Sequence, residues 1–189
     1  MIRPIILAGG SGSRLWPWSR SHYPKPLLDP MECGESLWQS TLQRLQGPQF
    51  HDPIVVAHHT HWNAFYHQAE QIQASVKQWL IEPLSRNTLP AMAAACWAPE
   101  WDDDDWVMLC PADAWIEDPE HFRDSLQQAM DPEHLVVFGI TPDRHATDYG
   151  YIECDTSAQP LKPVQRFHEK PDEKTAENYC AEGYLWNAG

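Results

Sequence analysis

Short apolar runs alternate with stretches of helical periodicity through the first two thirds of the chain, and no other sequence feature restricts the fold as strongly. The runs predict strands at 4–8, 53–57, 78–82, 106–110 and 135–140. Helices are predicted near 36–46, 61–74, 89–98 and 119–130. Strands that alternate with helices are typical of a mostly parallel sheet with crossover helices, so we expect an α/β domain.

The pattern changes after residue 140, where strands are predicted at 149–154, 162–168 and 184–187, with a helix at 172–182. We find no internal repeat and no long linker, and therefore expect one domain over residues 1–189. The chain stops just as a strand begins, without a cap or a polar tail. We therefore expect that a C-terminal part of this domain is missing.

Composition excludes several classes of protein. The formal net charge of -14 argues against a nucleic-acid partner, which would need a basic surface. No apolar run approaches the roughly 20 residues that span a bilayer, which argues against a membrane partner. The five cysteines are widely spaced and contain no CxxC pair, which favours reduced thiols and a cytoplasmic location.

Two further compositional features receive a structural interpretation. The run of four aspartates at 102–105 is interpreted as a solvated loop, because exposed carboxylates need no partner. The ten tryptophans are mostly separate in the sequence and are interpreted as core or packing residues.

A loop with three glycines follows the first predicted strand, and its residues include Gly9, Gly10, Ser11 and Gly12. Glycine permits a close backbone approach, so successive N–H groups can converge on phosphate oxygens. Arg14 follows directly and can supply a bidentate cation. The loop therefore predicts a phosphate cradle, with an ordinary tight turn between strand and helix as the alternative.

Lys25 lies between two prolines, Pro24 and Pro26. Proline fixes its own φ and restricts the residue before it, so the backbone around this lysine is stiff. Such a setting favours a positioned charge. A solvated lysine in a proline turn is the alternative.

Residues 9–28, GGSGSRLWPWSRSHYPKPLL, resemble the signature of the sugar-1-phosphate nucleotidyltransferases, and most closely the bacterial mannose-1-phosphate guanylyltransferases. Further segments resemble this family in the same order: 82–88 (EPLSRNT), 109–113 (LCPAD), 138–142 (FGITP), 149–152 (YGYI), 167–171 (FHEKP) and 184–189 (YLWNAG). Three positions depart from the family pattern: Ala114 replaces a usual histidine, Asp148 a common glycine, and Pro26 a usual glutamine.

The resemblance implies a role for each matched residue. Arg14 and Lys25 would be catalytic, and Asp113 would be a ligand of Mg²⁺. The nucleotide would be bound by Gly9, Gly10, Ser11, Gly12, Glu82, Arg86 and Asn87. The sugar phosphate would be bound by Gly150, Glu169, Lys170 and Asn187. Glu169 and Lys170 are adjacent, so in a regular strand they would point to opposite faces, and we expect a distortion before Pro171.

The resemblance also implies a Rossmann-like three-layer nucleotidyltransferase fold with a mostly parallel mixed sheet. The implied activity is transfer of a nucleotidyl group from GTP to mannose 1-phosphate, with Mg²⁺ as cofactor. The same chemistry on glucose 1-phosphate with UTP or TTP remains an alternative, as does a nucleotide-binding fragment without turnover. Association into a homo-oligomer stays open.

Overall fold

The computed structural model describes residues 1–9, 15–20, 23–84, 87–97, 104–131, 133–155 and 161–188. They form two compact units, Met1–Glu117 and Asp118–Gly189. The strands are β1 Ile2–Ala8, β2 Ile54–His58, β3 Gln78–Glu82, β4 Trp106–Pro111, β5 Gly139–Ile140, β6 Tyr151–Cys154, β7 Val164–His168 and β8 Leu185–Asn187. The helices are α1 Leu37–Arg44, α2 Trp62–Gln71, α3 Thr88–Trp97, α4 Pro119–Gln128 and α5 Glu173–Ala181, and a 3₁₀ turn spans Lys25–Leu27.

The first unit is built on a parallel sheet with the strand order β3-β2-β1-β4. In the central strand, Ile5 lies opposite Ile54 of β2 on one side and Leu109 of β4 on the other. Parallel strands of this kind are covered on both faces, which is why they appear in the sequence as continuous apolar runs. The predicted α/β class and its parallel sheet are confirmed.

Helices cover both faces of this sheet, as a three-layer fold requires. On one face, Ile5 and Val56 pack with Ala91 and Ala95 of α3. On the other, the ring of Trp79 lies 6.1 Å from that of Trp38, which is fully buried in α1. Successive side chains of β3 point to opposite faces of the sheet, so Leu80 packs on the α3 side while Trp79 points away from it.

The second unit contains an antiparallel sheet with the order β5-β8-β6-β7. Tyr151 of β6 lies opposite Trp186 of β8 and His168 of β7. Tyr151 and Trp186 pack with Ala176 of α5 in a small buried cluster. This helix therefore covers one face of the sheet.

The strand predicted at 135–140 is wrong for residues 135–138. Only its last two residues, Gly139 and Ile140, form a strand, and they pair with Asn187 and Trp186 of β8. Strand β8 ends at Asn187; after it the Ala188 N–H still donates to the Phe138 carbonyl at 3.0 Å, whereas Leu135 is fully exposed.

The solvated loop predicted at 102–105 is wrong for Asp105, whose side chain is only 4% exposed. Its carboxylate lies 2.8 Å from Arg3 Nη2 and 2.8 Å from His51 Nε2. Burial alone would raise the pKa of Asp105, but hydrogen bonds from these two side chains outweigh it and hold the pKa below its ordinary value. Asp104 is exposed as expected, while Asp102 and Asp103 lie outside the described residues.

Candidate active site

Lys25 and Asp113 meet at the carboxyl edge of the parallel sheet. Lys25 Nζ lies 2.9 Å from Asp113 Oδ2, and the two side chains are 39% and 33% exposed. Asp113 follows the end of β4 by two residues, and Lys25 opens the 3₁₀ turn. Ligands of open α/β sheets bind at this edge, so a cation and a carboxylate from distant parts of the chain converge where a ligand is expected.

The backbone around both residues is held firmly. Pro24 and Pro26 are buried on either side of Lys25. The N–H of Ala112 donates to the carbonyl of Leu7 at 3.1 Å, which ties the segment after β4 to the strand that precedes the glycine loop. Lys25 and Asp113 therefore keep partly exposed charges on a buried scaffold.

Helix α1 also supports this loop, a contribution that the sequence analysis missed. Thr41 Oγ1 donates to the carbonyl of Ala112 at 3.4 Å, and Arg44 Nη2 donates to that of Ala114 at 3.3 Å. The two carbonyls flank Asp113. Position 114 thus contributes its backbone, although its side chain departs from the family pattern. An apolar helix face that carries one threonine and one arginine is the sequence signal that could have suggested such a role.

Glu82 and Gly9 lie side by side at the same edge. Glu82 ends β3, and its Oε2 lies 3.0 Å from where a Cβ on Gly9 would stand. A side chain at position 9 would require this carboxylate to shift by a few tenths of an ångström, so glycine permits the close approach of the two residues. The first residue of the predicted phosphate loop thus lies next to a predicted nucleotide-binding carboxylate.

Several predicted site residues lie outside the described residues: the nucleotide-binding Gly10, Ser11, Gly12 and Arg86, and the catalytic Arg14. Asn87 is described and has a φ of 75°, in the left-handed region that asparagine tolerates better than most residues. Trp16 and Trp18, soon after the glycine loop, are 77% and 66% exposed. The interpretation of the tryptophans as core or packing residues is therefore wrong for these two, and also for Trp97 and Trp115, which are 87% and 46% exposed.

The predicted sugar-phosphate residues converge at one end of the antiparallel sheet. A Cβ on Gly150 would lie 2.5 Å from Phe167 Cζ and 3.3 Å from Glu169 Oε2. On the other side, the N–H of Asn187 donates to the Gly150 carbonyl at 2.8 Å. A side chain at position 150 would therefore displace the Phe167 ring, and Glu169 and Asn187 flank the glycine.

The distortion expected before Pro171 is present. Strand β7 ends at His168, and Lys170 adopts a φ of 41° in the left-handed region. Lys170 Nζ lies 2.5 Å from Glu169 Oε1, so the turn brings both charges to one place. Both side chains are more than half exposed and can turn toward a ligand.

A cavity of about 710 Å³ lies elsewhere in the second unit. Its lining includes Leu135, Val137, Ile152 and Val164, and none of the predicted site residues that the structure describes. Within the same described ranges, no three His, Cys, Asp or Glu side chains are grouped as a metal site. None of the helices there is long and apolar enough to cross a membrane.

Comparison with known proteins agrees with this geometry. The family model "Nucleotidyl transferase" matches residues 3–189. A mannose-1-phosphate guanylyltransferase of Klebsiella pneumoniae is 40% identical over all of this chain and 42% of its own length. The alginate biosynthesis protein AlgA of Pseudomonas aeruginosa is 39% identical over 98% of this chain and 40% of its own. The chain thus spans about two fifths of the curated relatives that it matches.

Solved structures confirm the expected fold. A crystal structure named as a mannose-1-phosphate geranyltransferase of Thermus thermophilus superposes with a TM-score of 0.79 at 30% identity, covering 100% of this chain and 56% of that one. The resemblance to bacterial mannose-1-phosphate guanylyltransferases is likewise confirmed by the curated relatives of that name. With a family model that matches nearly its whole length, the chain belongs to the nucleotidyl transferase family.

Proposed function

We propose that the protein to which this sequence belongs transfers a guanylyl group from GTP to mannose 1-phosphate, giving GDP-mannose and pyrophosphate. The observation that carries this proposal is the meeting of Lys25 and Asp113, 2.9 Å apart, at the carboxyl edge of the parallel sheet. The names of relatives about 40% identical favour GTP and mannose 1-phosphate over other pairs of substrates. We place the protein in the cytoplasm, since all five cysteines are free thiols.

The residues present fit a magnesium ion bound together with a nucleotide. Mg²⁺ commonly uses one or two carboxylates, with substrate phosphates and water completing its shell. Asp113 offers one partly exposed carboxylate at the edge where the triphosphate would lie. The ion would neutralise negative charge on the phosphates.

The pairing of Lys25 with Asp113 implies an exchange of partners when nucleotide binds. Without nucleotide, each charge neutralises the other. When a triphosphate arrives, Lys25 turns to its oxygens, and Asp113 becomes available to a cation. Exposed ion pairs contribute little net free energy, so the exchange costs little.

The reaction needs orientation more than proton transfer. A phosphate oxygen of mannose 1-phosphate attacks the α-phosphorus of GTP in line; a new O–P bond forms as the bond to the pyrophosphate oxygen breaks. The nucleophile is already an anion, so no general base is required. Catalysis then consists of positioning and charge stabilisation. Lys25, with Arg14, stabilises the departing pyrophosphate.

Glu82 is assigned to the base and the second unit to the sugar phosphate. A carboxylate can accept from both guanine donors, N1–H and the 2-amino group, which cytosine and uracil do not offer together. Gly150, Glu169 and Asn187 lie together at the end of the antiparallel sheet. Lys170 holds the attacking phosphate, and Glu169 and Asn187 hold sugar hydroxyls.

The test is a panel of GTP, UTP and TTP against mannose 1-phosphate and glucose 1-phosphate, with nucleotide binding and pyrophosphate release measured on the same sample. We expect binding and release to be strongest for GTP with mannose 1-phosphate. Strongest release for UTP or TTP with glucose 1-phosphate would contradict the substrate assignment. Tight nucleotide binding without release from any pair would contradict turnover by this chain.

A further inference from the structure

One imidazole ties the end of β7 to two neighbouring elements. His168 Nε2 lies 3.0 Å from Glu153 Oε2 of β6, and Nδ1 lies 3.0 Å from the hydroxyl of Tyr179 on α5. The ring also stacks on Tyr184 at 5.7 Å, with an angle of 27° between the planes. His168 is therefore held in position and orientation from three directions.

The ionisation states of Glu153 and Tyr184 are compatible with their contacts to His168. The hydrogen bond from His168 holds the pKa of Glu153 below its ordinary value, so Glu153 is a carboxylate at neutral pH and accepts from Nε2. Burial raises the pKa of Tyr184 to about 12, so this ring stays neutral. Both nitrogens of His168 have a partner whether or not the imidazole carries a charge.

The residues that follow are those assigned to the sugar phosphate. Lys170 has a left-handed backbone, a conformation that a residue with a side chain keeps only when its surroundings impose it. On one side of it stands the anchored His168. On the other, Asp172 caps helix α5 by accepting from the N–H of Thr175 at 2.8 Å. The turn at Lys170 is thus fixed at both ends.

We propose that His168 is a positioning residue for sugar 1-phosphate binding. Its hydrogen bonds to Glu153 and Tyr179 hold the turn at Lys170 and so place the Lys170 ammonium group for the phosphate. The inference rests on the proposed function, which assigns Lys170 to that phosphate. The resemblance does not predict this role, because the hydrogen-bond partners of His168 are side chains of β6 and α5, which lie outside the matched FHEKP segment.

Four variants separate this role from a general loss of structure. His168→Phe keeps an aromatic ring for stacking but removes both hydrogen bonds. His168→Gln keeps one donor and one acceptor. Gln165→Ala is the matched control, since Gln165 is an exposed residue of the same strand. Tyr179→Phe removes a single hydrogen bond and replaces His168→Phe in the comparison if the latter does not fold.

Two measurements are made on each variant: the backbone coupling constant and chemical shifts of Lys170 by NMR without ligand, and the dissociation constants of mannose 1-phosphate and GTP. For His168→Phe we expect loss of the left-handed signature at Lys170. We also expect about tenfold weaker mannose 1-phosphate binding, with GTP binding unchanged, since a lost hydrogen bond to a charged group has roughly this effect. His168→Gln should recover most of the affinity, and Gln165→Ala should match wild type.

An unchanged Lys170 signature, together with mannose 1-phosphate affinity within about twofold of wild type, overturns the inference. So does an equal loss of GTP and mannose 1-phosphate binding, which is the mark of a merely structural role. Failure of the proposed function gives a different result: the wild-type chain then binds no mannose 1-phosphate. In that case the Lys170 signature alone decides whether His168 holds the turn.

Discussion

Strand β4 has an aspartate near each end, and the two differ in their exposure and in the number of side chains that they contact. Asp105, before the strand, is 4% exposed and is bonded to Arg3 and His51. Asp113, after the strand, is 33% exposed and faces Lys25. Both carboxylates have a cationic partner within 3 Å. The two ion pairs differ in how far solvent reaches them.

The comparison teaches how one strand can serve stability at one end and chemistry at the other. A buried carboxylate with several donors has no freedom to accept a ligand, and removing it leaves buried charge uncompensated. A half-exposed ion pair contributes little to stability and exchanges partners readily. We therefore assign Asp105 to the scaffold and Asp113 to the proposed active site.

The largest expected effect is loss of stability in Asp105→Asn. The substitution keeps the shape of the side chain but removes the negative charge that faces Arg3 in a buried setting. We expect the free energy of unfolding to fall by about 3 kcal/mol, the low end for breaking a buried ion pair, because His51 stays partly solvated. Chemical denaturation followed by circular dichroism measures it.

The matched control is Asp104→Asn, because Asp104 is exposed next to Asp105. It should unfold like wild type. Equal denaturation midpoints for Asp105→Asn and Asp104→Asn would show that the interactions of Asp105 with Arg3 and His51 do not contribute to stability.

The next largest effect is on the reaction, through Lys25→Gln. Gln keeps a polar side chain, one atom shorter than that of lysine, but removes the charge that we propose faces the pyrophosphate. We expect the rate of pyrophosphate release to fall at least about tenfold, since loss of a positioned cation at developing charge has at least this effect. Lys77→Gln is the control, because Lys77 is exposed in the same unit. Comparable rates for the two variants would reject the assignment of Lys25.

The sequence predicted the first unit well because its two inner strands, β1 and β2, are buried on both faces. Each of these two strands pairs with a strand on either side and packs against helix α3, so its apolar composition matches its buried environment. Lys25 could be singled out because two prolines stiffen the backbone around it, whereas Asp113 was implied by the resemblance.

The remaining features depend on partners far away in the sequence. Asp105 looks like any member of an aspartate run, and its partners Arg3 and His51 are 102 and 54 residues away. Residues 135–138 have strand composition but find no strand beside them among the described residues. His168 was missed because its two hydrogen-bond partners come from a strand and a helix that the sequence does not place beside it.

A smaller effect is expected in the dependence of stability on pH. The folded pKa of Asp105 lies below its ordinary value because hydrogen bonds from Arg3 and His51 outweigh the opposing effect of burial. A lowered pKa stabilises the fold above the unfolded value of about 4, and this contribution is lost as pH falls through the folded value. The difference in unfolding free energy between wild type and Asp105→Asn should therefore narrow below about pH 4. Denaturation curves between neutral and acidic pH measure it, and a constant difference would contradict it.

The smallest effect is expected for the stability of Asp113→Ala, and it tests the comparison most directly. The ion pair with Lys25 is about one third exposed on each side, so solvent screens it and both side chains lose rotamer entropy when they pair. The carbonyls that flank Asp113 stay bonded to Thr41 and Arg44, so the backbone of the loop does not depend on the carboxylate. We expect a change of less than about 1 kcal/mol in the free energy of unfolding. Pyrophosphate release should fall sharply in the same protein, because no carboxylate remains at position 113 for the metal-bound nucleotide. A loss of stability as large as that of Asp105→Asn would mean that both ends of β4 serve the scaffold, and the active site would have to be sought elsewhere.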